Sequence, residues 1–243
     1  MKIFVADNYE EMSKQAAETV IQLMQSRSRP VICAASGHSP EGLYKEIIDR
    51  VSKKQLSVDH WLFLGLDEWV GMNAADQGSC RHHLDLELLN PLQVPEDRIC
   101  FFDGRANDLE GECERIEKFI NEQGGIDVAI LGLGMNGHIG MNEPGVSINT
   151  RSHVIDLHPI TKTVGQKYFK EEKELAQGIT LGIATLLEAN NVIVVVSGEQ
   201  KAEITQGMIE GKVSESLPAT LLRNHPALKI YLDSDAASKI VAP

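Results

Sequence analysis

Ile126-Asp127-Val128-Ala129-Ile130-Leu131-Gly132-Leu133-Gly134-Met135-Asn136-Gly137-His138-Ile139-Gly140-Met141-Asn142-Glu143-Pro144-Gly145 is the stretch on which the reading of the chain turns. Its apolar run over Ile126 to Leu131 predicts a strand buried on both faces, as in a parallel sheet. Gly132, Gly134 and Gly137 then spell GxGxxG, the spacing of a dinucleotide-binding turn. That motif needs an amphipathic helix opening within the glycines, and Gly140, Pro144 and Gly145 break any such helix. Asp156 stands at about the distance of a ribose contact, but without the helix its geometry fails, so a nicotinamide site is rejected. What remains is a loop of small residues, open to close approach by a ligand, carrying one imidazole and one carboxylate. His138 has an intrinsic pKa near neutrality and can take and return a proton at cellular pH. Asn136 and Glu143 are available to orient or polarise it.

Outward from this loop, short β-branched runs alternate with longer amphipathic segments. Strands are expected at Val31 to Ala35, Trp61 to Leu66, Ile99 to Phe102, Val192 to Val196 and Lys229 to Leu232. Helices are expected at Glu10 to Gln25, Pro40 to Lys53, Ser79 to Leu89, Asp108 to Gln123 and Glu199 to Glu210. Ser39-Pro40 reads as an N-cap followed by an N1 proline. No repeat, low-complexity tract or linker divides the chain. The fold class that follows is α/β: a single domain over residues 1–243 with an open, mostly parallel sheet and helices on both faces. In such sheets ligands bind beyond the carboxyl ends of the strands.

Two more strand-end loops carry candidate chemistry. Ala35-Ser36-Gly37-His38-Ser39-Pro40 is a small polar turn into a helix, where free N–H groups and the helix dipole favour a phosphate. An ordinary capping turn explains it equally well. Leu66-Asp67-Glu68-Trp69-Val70-Gly71 puts two carboxylates after an apolar strand, where partial desolvation raises a carboxyl pKa toward that of a working base. Capping or a salt bridge would account for either one.

Composition limits the partners. The 243 residues, 42% of them apolar, are enough for a well-buried core. With 35 acidic against 23 basic residues the net charge is −12, so the surface as a whole repels nucleic acid and anionic membrane. An anionic small molecule would need a local electropositive pocket. The longest apolar runs are far shorter than the roughly 20 residues of a membrane span. MKIFVADNYEEM has the wrong charge pattern for a signal peptide, and the cytosol is the expected location. Cys33, Cys80, Cys100 and Cys113 lack CxxC spacing and read as reduced structural thiols. Adjacent helical residues diverge, so Cys80, His82 and His83 are not read as a metal site.

Leu66-Asp67-Glu68-Trp69-Val70 and Gly134-Met135-Asn136-Gly137-His138-Ile139-Gly140-Met141-Asn142-Glu143-Pro144 together resemble the glucosamine/galactosamine-6-phosphate deaminase (isomerase) family. The resemblance spans nearly the whole chain. It includes Ser36 to Pro40, Gly178-Ile179-Thr180-Leu181-Gly182, Ser197-Gly198-Glu199-Gln200-Lys201 and Pro218-Ala219. It implies a Rossmann-like fold of the sugar-phosphate isomerase type and conversion of an amino-sugar 6-phosphate and water into a ketose 6-phosphate and ammonia. Neither a metal nor an organic cofactor is implied.

The roles carried over are these. His138, assisted by Glu143 and Asn136, would open the pyranose ring, and Asp67 would move the proton from C2 to C1. Ser36, Gly37, His38, Ser39 and Gly137 would surround the substrate, with Lys201 facing its phosphate. An active-site lid is implied around residues 158–176, with Lys167 where family members often have an arginine. Asn136 stands where some members have aspartate, and His38 where glycine or alanine is usual. Trp69 and the Asp76-Gln77-Gly78-Ser79-Cys80 stretch resemble the galactosamine-type members. A 6-phosphogluconolactonase and a non-catalytic sugar-phosphate-sensing domain are the rival readings. Homo-oligomerisation is compatible with all three.

Overall fold

The computed structural model describes residues 1–25 and 27–241. Seven strands form one fully parallel sheet: β1 (Lys2–Ala6), β2 (Val31–Ala34), β3 (Leu62–Gly65), β5 (Ile99–Cys100), β6 (Val128–Gly132), β9 (Val192–Val196) and β10 (Leu228–Asp233). Their order is β1-β10-β9-β6-β2-β3-β5, with every neighbouring pair parallel. Successive side chains on a strand face opposite ways. Ile32, Phe63, Val128, Ile130, Ile193 and Val195 therefore pack on one face, under α1 (Tyr9–Met24) and α2 (His38–Ser52). Cys33, Leu64, Ala129, Leu131, Val192 and Val194 pack on the other, under α4 (Leu109–Glu122) and α7 (Ala202–Glu210). Burial on both faces is the reason these runs are continuously apolar.

A second sheet is small and antiparallel, with the order β4-β8-β7, made from β4 (Asp67–Trp69), β7 (His153–Asp156) and β8 (Gln177–Thr180). The expected single strand over Trp61 to Leu66 ends at Gly65, and the chain passes at once into β4 of this other sheet. Asp67 is thereby held at the junction of the two sheets, opposite Thr180. The sequence reading missed this sheet because its strands are three or four residues long and rich in polar groups. β1, a partly exposed edge strand, and α6 (Ile183–Leu187) were also not anticipated.

Three boundaries differ in an informative way. Helix α2 starts at His38, not after a Ser39 cap: Gly37 is the N-cap, at φ +112°, a conformation open to glycine. The helix expected over Ser79 to Leu89 divides into α3 (Cys80–Leu84) and a wider π turn, Asp85–Leu89. The one expected from Glu199 opens as a 3₁₀ turn, Glu199–Lys201, before α7. Helix α5 (Pro159–Gly165) is capped by His158. No helix among the described residues is long and apolar enough to cross a membrane.

Candidate active site

The strand order dictates where a site can form. From β2 the chain moves outward through β3 to β5, then returns to place β6 on the other side of β2. The loops leaving β2 and β6 must diverge, and the crevice between them is the binding position of open α/β sheets. A cavity of about 220 Å³ lies there, walled by the loops after β2, β3, β6 and β9 and by the α5 segment. Pockets for drug-sized ligands run roughly 300–1,000 Å³, so this one suits a molecule of monosaccharide size.

One end is built for an anion. Ser36, Gly37, His38 and Ser39 line it at the start of α2, and Gly37 supplies no side-chain cap, leaving first-turn N–H groups for a ligand. Lys201 comes from the turn after β9. Gly198, at φ +91°, makes that turn, and Asp233 holds it: both carboxylate oxygens accept the Gly198 N–H, at 3.1 and 3.0 Å. The Lys201 ammonium donates to the Leu133 carbonyl at 2.5 Å, which aims it across the Gly-rich loop. Burial, with the nearby charge of Lys167, pushes its pKa down to about 8. Two ammonium groups converging on a half-buried space call for an anion between them.

The other end holds acid/base groups. Asp67 is buried on the wall, and loss of hydration pushes its carboxyl up to about 6, against a stabilising hydrogen bond from the Cys80 thiol. Glu68 points the opposite way, as strand alternation requires, and is fully buried. Its Oε1 accepts the N–H groups of Trp69 (2.8 Å) and Cys80 (2.9 Å), and its Oε2 that of Arg81 (3.0 Å). Glu68 is thus the capping carboxylate of the pair, and Asp67 the one that faces the cavity.

His138 reaches the cavity from the Gly-rich loop, and Asn136 stands behind it. Asn136 Oδ1 accepts the His138 backbone N–H at 3.2 Å, and Nδ2 donates to Glu143 Oε2 at 2.8 Å. The oxygen is therefore the amide atom 2.7 Å from His138 Nδ1, so Nδ1 carries the proton and Nε2 has a free lone pair. Burial pushes the imidazole down to about 4; Glu143 opposes this, while Lys201 and His158 add to it. At neutral pH the ring is neutral and able to accept a proton. Gly134 makes room for it, since a Cβ there would lie 2.4 Å from the ring.

Of the residues singled out from sequence, Ser36, Gly37, His38, Ser39, Asp67, His138, Lys167 and Lys201 line this one cavity. Asn136 and Glu143 lie behind His138. Gly137 faces away: it packs against Leu217, and its carbonyl accepts the Ala219 N–H at 2.9 Å. The loop needs its φ of +81°, so its role is conformational and not one of contact. Thr161, Tyr168, Gln200 and Cys80 also line the wall and were not named as site residues, although Cys80 was read as structural. The resemblance marks their segments, the lid around 158–176, Ser197 to Lys201 and Asp76 to Cys80, but which side chains of those segments reach the wall depends on packing between parts of the chain distant in sequence.

A crevice at the switch point of a parallel sheet, in which a helix-start turn with free N–H groups faces a buried acid and a neutral imidazole, is the form of an acid/base site of the α/β class. Residues 6–230 match the family of glucosamine-6-phosphate isomerases/6-phosphogluconolactonase, and the chain belongs to that family. It is 37% identical over 241 residues to a glucosamine-6-phosphate deaminase of Oceanobacillus iheyensis, covering 99% of this chain and 96% of that one. It is 36% identical to that of Shouchella clausii, covering 98% and 97%. A solved structure of a monomeric glucosamine-6-phosphate deaminase superposes with a TM-score of 0.94 at 33% identity, covering 98% of this chain and 99% of that one. The 6-phosphogluconolactonase of Trypanosoma brucei, at 21% identity and a TM-score of 0.75 with 99% and 98% coverage, shares the fold.

Proposed function

We propose that the chain is an amino-sugar 6-phosphate deaminase of the cytosol. The observation that carries this reading is that Asp67 and His138 open into one cavity whose far end holds Lys201 and the start of α2. In this scheme the phosphate binds there, between Lys201, Lys167 and the N–H groups at Gly37 to Ser39. His138 Nε2 takes the anomeric hydroxyl proton and returns it to the ring oxygen, opening the pyranose. Asp67 then removes the proton from C2 and delivers it to C1 through an enolamine. The resulting C2 imine adds water and releases ammonia, leaving a ketose 6-phosphate. A carboxyl pKa raised to about 6 suits both halves of that transfer, since the same group must accept a proton and give it up.

Glucosamine 6-phosphate, giving fructose 6-phosphate, is the substrate that the relatives' names support. Galactosamine 6-phosphate, giving tagatose 6-phosphate, is the second reading. It is favoured by Trp69 and Cys80, two residues of the galactosamine-type resemblance that both line the cavity. Ammonia release from each amino sugar by the purified protein, measured beside hydrolysis of 6-phosphogluconolactone, tests the proposal. Lactone hydrolysis without ammonia release would favour the lactonase reading. Binding of the amino sugar phosphates with no turnover would favour a sensing domain.

A further inference from the structure

Helix α5 touches the His138-Asn136-Glu143 chain at both ends. Thr161 Oγ1 lies 3.2 Å from His138 Nδ1, and the backbone N–H of His158 donates to Glu143 Oε1 at 3.1 Å. Thr161 is 5% exposed, whereas Ile160 and Val164 on the same helix are 43% and 37% exposed. The helix thus turns a hydroxyl inward and leaves aliphatic groups at the mouth. A helical threonine commonly returns its hydroxyl to the carbonyl one turn back, as Thr163 does with Pro159 at 3.0 Å. Thr161 is directed at the imidazole instead.

The direction of this hydrogen bond follows from the tautomer. Asn136 Oδ1 faces Nδ1, so Nδ1 holds a proton and has no lone pair to offer; the Thr161 oxygen must accept. That proton is shared between two acceptors, one on the Gly-rich loop and one on the helix covering the cavity. We propose that Thr161 is a positioning residue: as second acceptor for His138 Nδ1–H, it makes the seating of α5 a condition for presenting the Nε2 lone pair to the sugar. The inference rests on the reading of His138 as the ring-opening group. Glu143, Lys201 and His158, the charged and titratable groups that act on the ring, are untouched by substitution at 161.

Thr161→Val removes the oxygen and keeps the shape, and Thr161→Ser keeps the oxygen. With the amino sugar phosphate, kcat should fall about tenfold in Thr161→Val through a misplaced base, at near-constant KM, and recover in Thr161→Ser. Side-chain ¹⁵N NMR of the ligand-free protein should show His138 as the Nδ1–H tautomer in wild type and Thr161→Ser. In Thr161→Val Asn136 should keep the tautomer, but the Nδ1 and Nε2 resonances should shift and broaden as the ring loses its second anchor. A serine variant as impaired as the valine variant would assign the effect to the methyl group and overturn the proposal, as would an unchanged His138 spectrum in Thr161→Val, whatever its kcat. The spectrum decides the role of Thr161 even if the wild-type chain releases no ammonia, a result that would remove the proposed function alone.

Discussion

Glu68 Oε1 accepts the backbone N–H of Cys80 at 2.9 Å, joining β4 to the first residue of α3 across twelve positions of sequence. With Trp69 and Arg81, three backbone donors end on this one buried carboxylate. Burial pushes its pKa up to about 7 despite them. Removing it orphans all three donors in a dry setting. Glu68→Ala should cost about 3 kcal/mol, or roughly 6–12 °C in Tm for a chain of this length. Thermal unfolding by circular dichroism measures it, and a change below about 1 °C would contradict the role assigned to the carboxylate.

Asp67 should combine loss of activity with gain of stability when it is neutralised. Its folded pKa, about 6, lies above the ordinary value of an aspartate, so its favourable contribution to folding is complete only below about pH 4 and is lost as pH rises through 6. At pH 7 the buried charge costs about 2–3 kcal/mol. Asp67→Asn should therefore raise Tm by several degrees at pH 7 but not at pH 4. Ammonia release should fall by about 10²-fold or more through loss of the base.

The pH profile of kcat/KM should be bell-shaped. Asp67 must be ionised to take the C2 proton, which puts the acidic limb near 6. Lys201 must be charged to hold the phosphate, which puts the alkaline limb near 8. Lys201→Arg should move the alkaline limb upward by more than a unit, because guanidinium stays charged. Steady-state kinetics between pH 5 and 10 decide it, and an alkaline limb unmoved by this substitution would free Lys201 from the assignment.

Asn136→Asp should raise the His138 pKa from about 4. The new carboxylate would sit where Oδ1 now meets Nδ1 at 2.7 Å, and an opposite charge at that distance favours the imidazolium by about 1–3 units. It would also face Glu143, to which Asn136 now donates at 2.8 Å, so the two acids would have to share a proton. The His138 titration, followed directly by side-chain ¹⁵N NMR, should move upward; an unmoved titration would remove Asn136 from the ring-opening group.

Gly134→Ala should damage chemistry while sparing binding. The added methyl would stand 2.4 Å from the His138 ring, and the ring is what must move. A displacement of about 1 Å can cost about 10²-fold in kcat. Phosphate affinity, read from product inhibition, should hold, since the contacts of Lys201 are elsewhere.

Much of the site was legible because its signals are local. His138 is marked by the glycines around it, and Asp67 by its place directly after an apolar run. The residues themselves leave open which of Asp67 and Glu68 faces a ligand, and only the family resemblance points to Asp67. The answer came from β4 pairing with β8, an arrangement that no residue near Asp67 announces. Gly137 was expected against the substrate, but the same φ that shapes the loop turns it toward Leu217.

The amino-acid sequence by itself determined the order of the central strands β2, β3, β5, β6, β9 and β10 and of the long helices between them, burial of that sheet on both faces, and the three loops in which the acid, the imidazole and the helix-start N–H donors lie. Periodicity, β-branching and the conformational limits of glycine and proline act between near neighbours and can be read one segment at a time. Tertiary structure alone decided that Cys80 meets Asp67, that Asp233 grips Gly198, and that Thr161 reaches an imidazole 23 residues away. Those contacts depend on where separate segments pack against one another, and no local pattern around Asp67, Gly198 or His138 names the partner that the fold brings to it.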